Sequence, residues 1–128
     1  QCNLEVSTGI KIVRNQVYPF IIKYISNLSK SIHRSRKIFP DEDLFKYDID
    51  ILKEIILLKN DMLIFTDKLE ENLANAIKIE DLYQRARFYA NEVKPTLERL
   101  REKVDKLEEK IATDAWPIPS YYDLLFNL

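Results

Sequence analysis

Three stretches of the chain repeat apolar residues at three- and four-residue steps, the spacing that gathers side chains onto one stripe of an α-helix. In the first, Val6, Ile10, Val13, Val17, Phe20, Tyr24, Leu28 and Ile32 keep that step. Leu44, Tyr47, Ile51, Ile55, Leu58, Met62, Phe65, Leu69, Leu73 and Ala76 keep it in the second. The third carries Leu82, Ala86, Tyr89, Val93, Leu97, Leu100, Val104, Leu107 and Ile111. Helices are predicted over 4–37, 42–77 and 80–112, with a tail over 113–128. The second is unusually apolar around Ile55–Leu58, which predicts burial on more than one side. Short links between long amphipathic helices favour antiparallel neighbours. The expected fold is all-α: an up-down-up three-helix bundle, one domain over 1–128.

The boundaries have local signals of their own. Apolar periodicity fades in His33-Arg34-Ser35-Arg36-Lys37, and Phe39-Pro40-Asp41-Glu42-Asp43 reads as a break with Asp41 as N-cap. The third helix is expected to start near Glu80-Asp81. Pro19 and Pro95 fall inside continuous helical stripes. An internal proline removes a hydrogen bond and strikes the preceding turn, at about 3 kcal/mol if unrelieved, so each is expected to kink its helix. The first and third helices run parallel in such a bundle, which would place both kinks at one height. No short internal repeat is evident along the chain.

Composition narrows the class. A single glycine in 128 residues argues against sheets and phosphate-binding loops and for helices. Apolar residues at 46% and charged residues at 32% fit a folded, amphipathic chain. A net charge of −1 gives no field that would draw nucleic acid or an anionic membrane. The lone Cys2 excludes an internal disulfide and fits a reducing, cytoplasmic setting. No apolar run is long enough to span a bilayer. The chain opens on Gln1 without a signal-peptide pattern and is read as an excised carboxyl-terminal piece.

Candidate chemistry is sparse. His33 is the only histidine, and Arg34, Arg36 and Lys37 beside it would repel a metal cation. That basic cluster also suits a helix C-terminus, where the macrodipole favours cations. Glu70-Glu71, Glu108-Glu109 and the Asp41–Asp43 run read as solvated faces, because adjacent helical carboxylates point apart. No glutamate stands three residues before His33, as an inward-facing di-iron motif requires. Gly-rich loops and nucleophile–base spacings are missing too. Tyr18, Phe20 and Tyr24, like Tyr83, Phe88 and Tyr89, are expected to build core or a partner-facing seam. Catalytic, cofactor and metal residues are all expected to be absent.

The end of the chain is the most distinctive part. Pro117 and Pro119 block regular helix after Trp116, and Tyr121, Leu124, Leu125 and Phe126 follow. A free tail of this kind would expose much apolar surface, at roughly 1.5–3 kcal/mol per large side chain. These seven residues are therefore expected to dock on the helices or on a neighbouring chain.

Asp114-Ala115-Trp116-Pro117-Ile118-Pro119-Ser120-Tyr121-Tyr122-Asp123-Leu124-Leu125-Phe126 closely resembles the carboxyl terminus of type III glutamine synthetases. Asn15-Gln16-Val17-Tyr18-Pro19-Phe20-Ile21-Ile22-Lys23-Tyr24 and Ser29-Lys30-Ser31-Ile32 resemble a second block of that family. Ile79-Glu80-Asp81-Leu82-Tyr83-Gln84-Arg85-Ala86-Arg87-Phe88-Tyr89, with Val93-Lys94-Pro95, resembles a third. Tyr122 departs from the family's glycine at that position, so the turn at Ser120–Asp123 is expected to differ if that glycine has positive φ. The resemblance implies a parent enzyme that joins ammonia to glutamate through a γ-glutamyl phosphate, using ATP and magnesium. It also implies a large ring-shaped homo-oligomer. In that family the metal, phosphate and ammonia sites lie in a preceding catalytic domain, so no catalytic residue is carried over.

The leading expectation is a non-catalytic structural and assembly module whose partners are that catalytic domain and neighbouring subunits. The alternative is a free-standing helical adaptor that binds a protein through the first-helix seam and the basic cluster. A small helical enzyme or RNA-binding domain comes third.

Overall fold

The computed structural model describes residues 2–111, and the docking expected of Trp116–Phe126 lies outside them. The described chain forms three long helical rods and carries no strand. The first rod joins α1 (Cys2–Ile12), a five-residue π turn (Val13–Val17) and α2 (Tyr18–Ile38). The second is α3 (Lys46–Ile77). The third joins α4 (Leu82–Phe88), a second π turn (Tyr89–Val93) and α5 (Lys94–Lys110).

Each link between rods is capped by an aspartate. The Asp41 carboxylate accepts from the Asp43 N–H at 3.1 Å, starting a 3₁₀ turn (Glu42–Phe45) that leads into α3. The second helix thus becomes α-helical only at Lys46, later than its apolar pattern suggests. Asp81 caps α4 through the Gln84 N–H at 2.9 Å, with Gln84 three residues on as in a capping box. Arg85 Nε donates to the Ile79 carbonyl at 2.8 Å and ties the link to the new helix.

Cross-rod pairs fix the directions. Arg14 meets Asp67 and Glu70, whereas His33 shares a groove with Ile49 and Leu52. As the first rod advances, the second retreats. Asn72 meets Thr96, Asp61 meets Lys103 and Glu54 meets Lys110, so the third rod is antiparallel to α3 as well. The bundle is up-down-up. Its core joins Val6, Ile10, Val13, Val17 and Ile21 to Ile55, Met62, Leu69 and Leu73. Val93, Leu100, Val104, Leu107 and Ile111 close it from the third rod.

Neither proline ends its helix. In front of Pro19 the Tyr18 N–H bonds the Val13 carbonyl, and in front of Pro95 the Lys94 N–H bonds the Tyr89 carbonyl. Both are i→i−5 bonds, so a wider turn opens the backbone just where a proline ring would strike a carbonyl. The two sites share a pattern that reading by stripes overlooks: Asn15-x-Val17-x-Pro19 and Asn91-x-Val93-x-Pro95. The chain therefore does contain a short repeat. Both copies bury their valine, and both π turns meet α3 within residues 67–72.

The π turn also corrects the first stripe. Ile21 is fully buried, and Phe20, expected in the core, is only half-buried. An extra residue in the turn advances the buried face by one position, so the steps run Val13, Val17, Ile21. On α3, Ile55 is buried and Ile56 and Leu58 are half-buried, but Leu57 is exposed. Leu44, Tyr47 and Ile51 lie open beyond the end of the third rod, and Leu82 and Ala86 are exposed at its start.

The buried side chains of Thr66, Asn72 and Thr96 are hydrogen-bonded within or between the rods. Asn72 Nδ2 donates to Thr96 Oγ1 at 3.1 Å and to the Glu92 carbonyl at 3.2 Å. Thr96 Oγ1 in turn donates to that carbonyl at 2.8 Å. Thr66 Oγ1 bonds the Met62 carbonyl within its own helix. At the first π turn the contact is ionic: Arg14 forks to Asp67 and Glu70, each at 2.7 Å. Hydrogen bonding to Arg14, then its charge, holds the Glu70 carboxyl below its ordinary range, and the same bonds raise Arg14.

Three outcomes follow from this arrangement. Pro19→Ala and Pro95→Ala should each raise stability by far less than the ~3 kcal/mol of an unrelieved internal proline, because the π turns already remove the clash. Urea unfolding measures this, and a gain of the full size would mean that the turns are strained. Asn72→Ala should cost about 1–3 kcal/mol, more than Asn75→Ala on the exposed side of the same helix. Arg14→Met should cost under about 1 kcal/mol, since its two partners are largely exposed. Glu70's depressed pKa makes its share of that difference full above the ordinary glutamate range and lost as pH falls through the folded value. Melting curves of both proteins across the acid range should therefore converge at low pH.

Candidate functional site

The sequence offers three places where chemistry could sit: the basic cluster, the acidic pairs and the aromatic groups. His33 and Arg34 are exposed on the last turns of α2, while Arg36 is half-buried. Together with Lys37, His33 and Arg36 line an open groove of about 500 Å³ whose floor is Ile32, Ile49 and Leu52. The groove is apolar beneath and cationic at its rim. Among the described residues that line it there is no carboxylate, and His33 is the one metal-ligand type.

The acidic residues are dispersed. Glu70 is engaged by Arg14, whereas Glu71 is exposed. Asp41 is spent as a cap. Partial burial pushes the Asp105 carboxyl up, helped by Glu109 and opposed by Arg101. Partial burial, with Asp105 nearby, also raises Glu108. In both groups the charged form is disfavoured. Among the described residues no group of three or more His, Cys, Asp and Glu side chains could hold a metal ion. No described helix is long and apolar enough to cross a membrane.

A second open groove, of about 580 Å³, runs between α1 and the end of α3 past Ser7, Lys11, Arg14, Asn15 and Glu70. Arg14 and Glu70 are committed to each other there, which leaves no free acid–base pair. The aromatic residues mostly pack: Tyr18, Phe20, Tyr24, Phe88 and Tyr89 lie half-buried against the core. Tyr83 does not. It is 67% exposed, with the Arg87 guanidinium 5.9 Å from its ring centroid.

What the fold does bring together is the two π turns, through Arg14 and the Glu92 carbonyl, on the 67–72 stretch of α3. Arg14, Asn72 and Thr96 carry that contact, and reading for catalytic motifs passes over all three. Two signals were present in the sequence. Asn-x-Val-x-Pro occurs twice, and Asn72 interrupts the otherwise apolar face of α3 between Leu69 and Leu73. The geometry joins helices rather than holding a reactant. The seven tail residues expected at a docking contact lie outside the described region.

Comparison with known proteins yields no matching family model and no matching solved structure. Two curated proteins are similar in sequence. One is a glutamine synthetase of Bacteroides fragilis (strain YCH46), 29% identical over 116 residues, which cover 88% of this chain and 16% of that protein. The other is a glutamine synthetase of Butyrivibrio fibrisolvens, 24% identical over 126 residues, covering 98% of this chain and 18% of that protein. Nearly the whole chain matches, but it spans less than a fifth of the length of either relative. The chain is thus similar to a fragment of a glutamine synthetase.

Proposed function

We propose that this chain is the carboxyl-terminal structural and assembly module of a type III glutamine synthetase and takes no chemical part in the reaction. The observation that carries the reading is the near-complete match of this chain to a small share of two glutamine synthetases. The use of polar side chains inside the bundle supports it: Thr66, Asn72 and Thr96, the buried polar residues, are bonded within or between helices. A domain built this way supplies shape and surface.

In this reading the parent chain ligates ammonia to glutamate, with ATP and magnesium held by its catalytic domain, in the cytoplasm. The described residues of this bundle do not fit a magnesium site, which calls for carboxylate oxygens grouped around one ion. No step of the ligation is assigned to them. The module's partners are the catalytic domain of the same chain and neighbouring subunits of a ring-shaped homo-oligomer. Its exposed apolar residues, among them Ile38, Phe39, Ile77 and Leu82, are available for such contacts.

Two measurements test the proposal. The purified 128-residue chain should be strongly helical by circular dichroism and show no γ-glutamyl transfer. Measurable transfer would overturn the non-catalytic role. In the full-length parent, removal of this segment should reduce the assembly to smaller species by light scattering. Assembly at full size without the segment would overturn the assembly role.

A further inference from the structure

On α3, Leu44, Ile51, Leu58, Phe65 and Asn72 recur every seven residues, as do Tyr47, Glu54 and Asp61. Seven residues are about two helical turns, so these two rows form one continuous stripe. From Glu54 onward the third rod covers it. Asn72 bonds Thr96, Asp61 pairs with Lys103, Glu54 pairs with Lys110, and Leu58 and Phe65 pack against the core.

Then the cover stops. α5 ends at Lys110, level with Glu54, while α3 and its 3₁₀ turn continue for about three more turns. On those turns the same stripe carries Leu44, Tyr47 and Ile51, exposed at 56, 79 and 45%. An apolar seam prepared for a third partner has none from the described helices.

We propose that the chain's own carboxyl-terminal segment, 112–128, fills this place and seats Trp116 on Leu44, Tyr47 and Ile51. Three observations select that occupant. First, Ile111 is buried at 1% exposure, so the chain leaves α5 from a fixed point at the head of the uncovered stripe. Up to that point α5 runs antiparallel to α3, toward the end that carries Ile51 and Tyr47.

Second, the reach fits. Trp116 stands five positions after Ile111, at most about 17 Å of extended chain. Along α3, Tyr47 lies about 10 Å beyond Glu54. Third, the segment is rich in apolar and aromatic side chains (Trp116, Tyr121, Leu124, Leu125, Phe126) that suit an apolar seam. Proline fixes one backbone dihedral, so Pro117 and Pro119 reduce the entropy such a segment has to lose on seating. The inference is independent of the glutamine synthetase reading, because it concerns only how this chain covers its own surface.

Trp116 is the sole tryptophan, so its fluorescence reports the segment directly. The 128-residue chain should show blue-shifted emission, protected from acrylamide, at every concentration at which it is monomeric. Tyr47→Asp combined with Ile51→Asp should move the emission to the red and increase quenching several-fold. Both side chains are open to solvent in the described helices, so helical content by circular dichroism should persist in this variant. Leu82→Asp, at the far end of the bundle, should leave the emission unchanged. Solvent-like emission from the unaltered chain would overturn the proposal and assign the segment to a surface outside this domain. Emission unmoved by the Tyr47 and Ile51 changes would overturn the seat. A blue shift that appears only as the chain dimerises would overturn it in favour of a second copy.

Discussion

An internal proline is the constraint to which the rest of this bundle answers. Proline cannot donate to the helical ladder, and its ring presses on the carbonyl one turn earlier. The chain meets this problem twice and solves it twice in the same way, with an i→i−5 turn over Val13–Val17 and again over Tyr89–Val93. A helix with a π turn carries one residue more than its period requires, so the buried face shifts at that point. The apolar residues beyond it must follow. They do: Ile21 rather than Phe20 enters the core, and Val17 and Val93 are buried at corresponding positions.

That solution has consequences for α3. A widened turn is locally irregular, and its polar groups need partners that an ordinary packed helix would not require. The straight middle rod provides them from one short stretch. Asp67 and Glu70 hold Arg14 of the first π turn, and Asn72 reaches the Glu92 carbonyl in the second. The two contacts differ in kind. The ionic one is exposed and contributes little, whereas the amide bridge is buried and would be costly to leave half-made. Asn72 therefore matters more to the register of the third rod than Arg14 does to that of the first.

Stripes of apolar residues made the three helices of an all-α bundle legible, because a 3.6-residue period is a direct record of which side is buried. The details that were missed share one cause. A stripe read at constant period assumes an unbroken α-helix, so it selects Phe20 where a π turn brings in Ile21. It likewise assumes that a partner extends along the whole stripe, so it buries Leu44, Tyr47 and Ile51 although α5 ends first. Asp41 and Asp81 were legible as boundaries because capping is local chemistry, complete within four residues. The bridge from Asn72 to Thr96 joins residues in different rods, and no local pattern records it.

The absence of a grouped acid or metal-binding set among the described residues and the presence of unfinished apolar surface are two sides of one economy. Among the described residues Thr66, Asn72 and Thr96 are the buried polar positions; Asn72 and Thr96 join two rods, and Thr66 bonds within its own helix. The apolar surface is uneven. Exposed apolar residues stand at the ends of the rods, Ile38, Phe39, Leu44 and Tyr47 at one and Ile77, Leu82 and Tyr83 at the other, while Ile22, Leu57 and Ile64 are exposed between them. Rods of unequal length produce such ends wherever a stripe outlasts its partner. Where α5 ends before the stripe on α3 does, Leu44, Tyr47 and Ile51 keep the spacing of a packed face without a described helix against them.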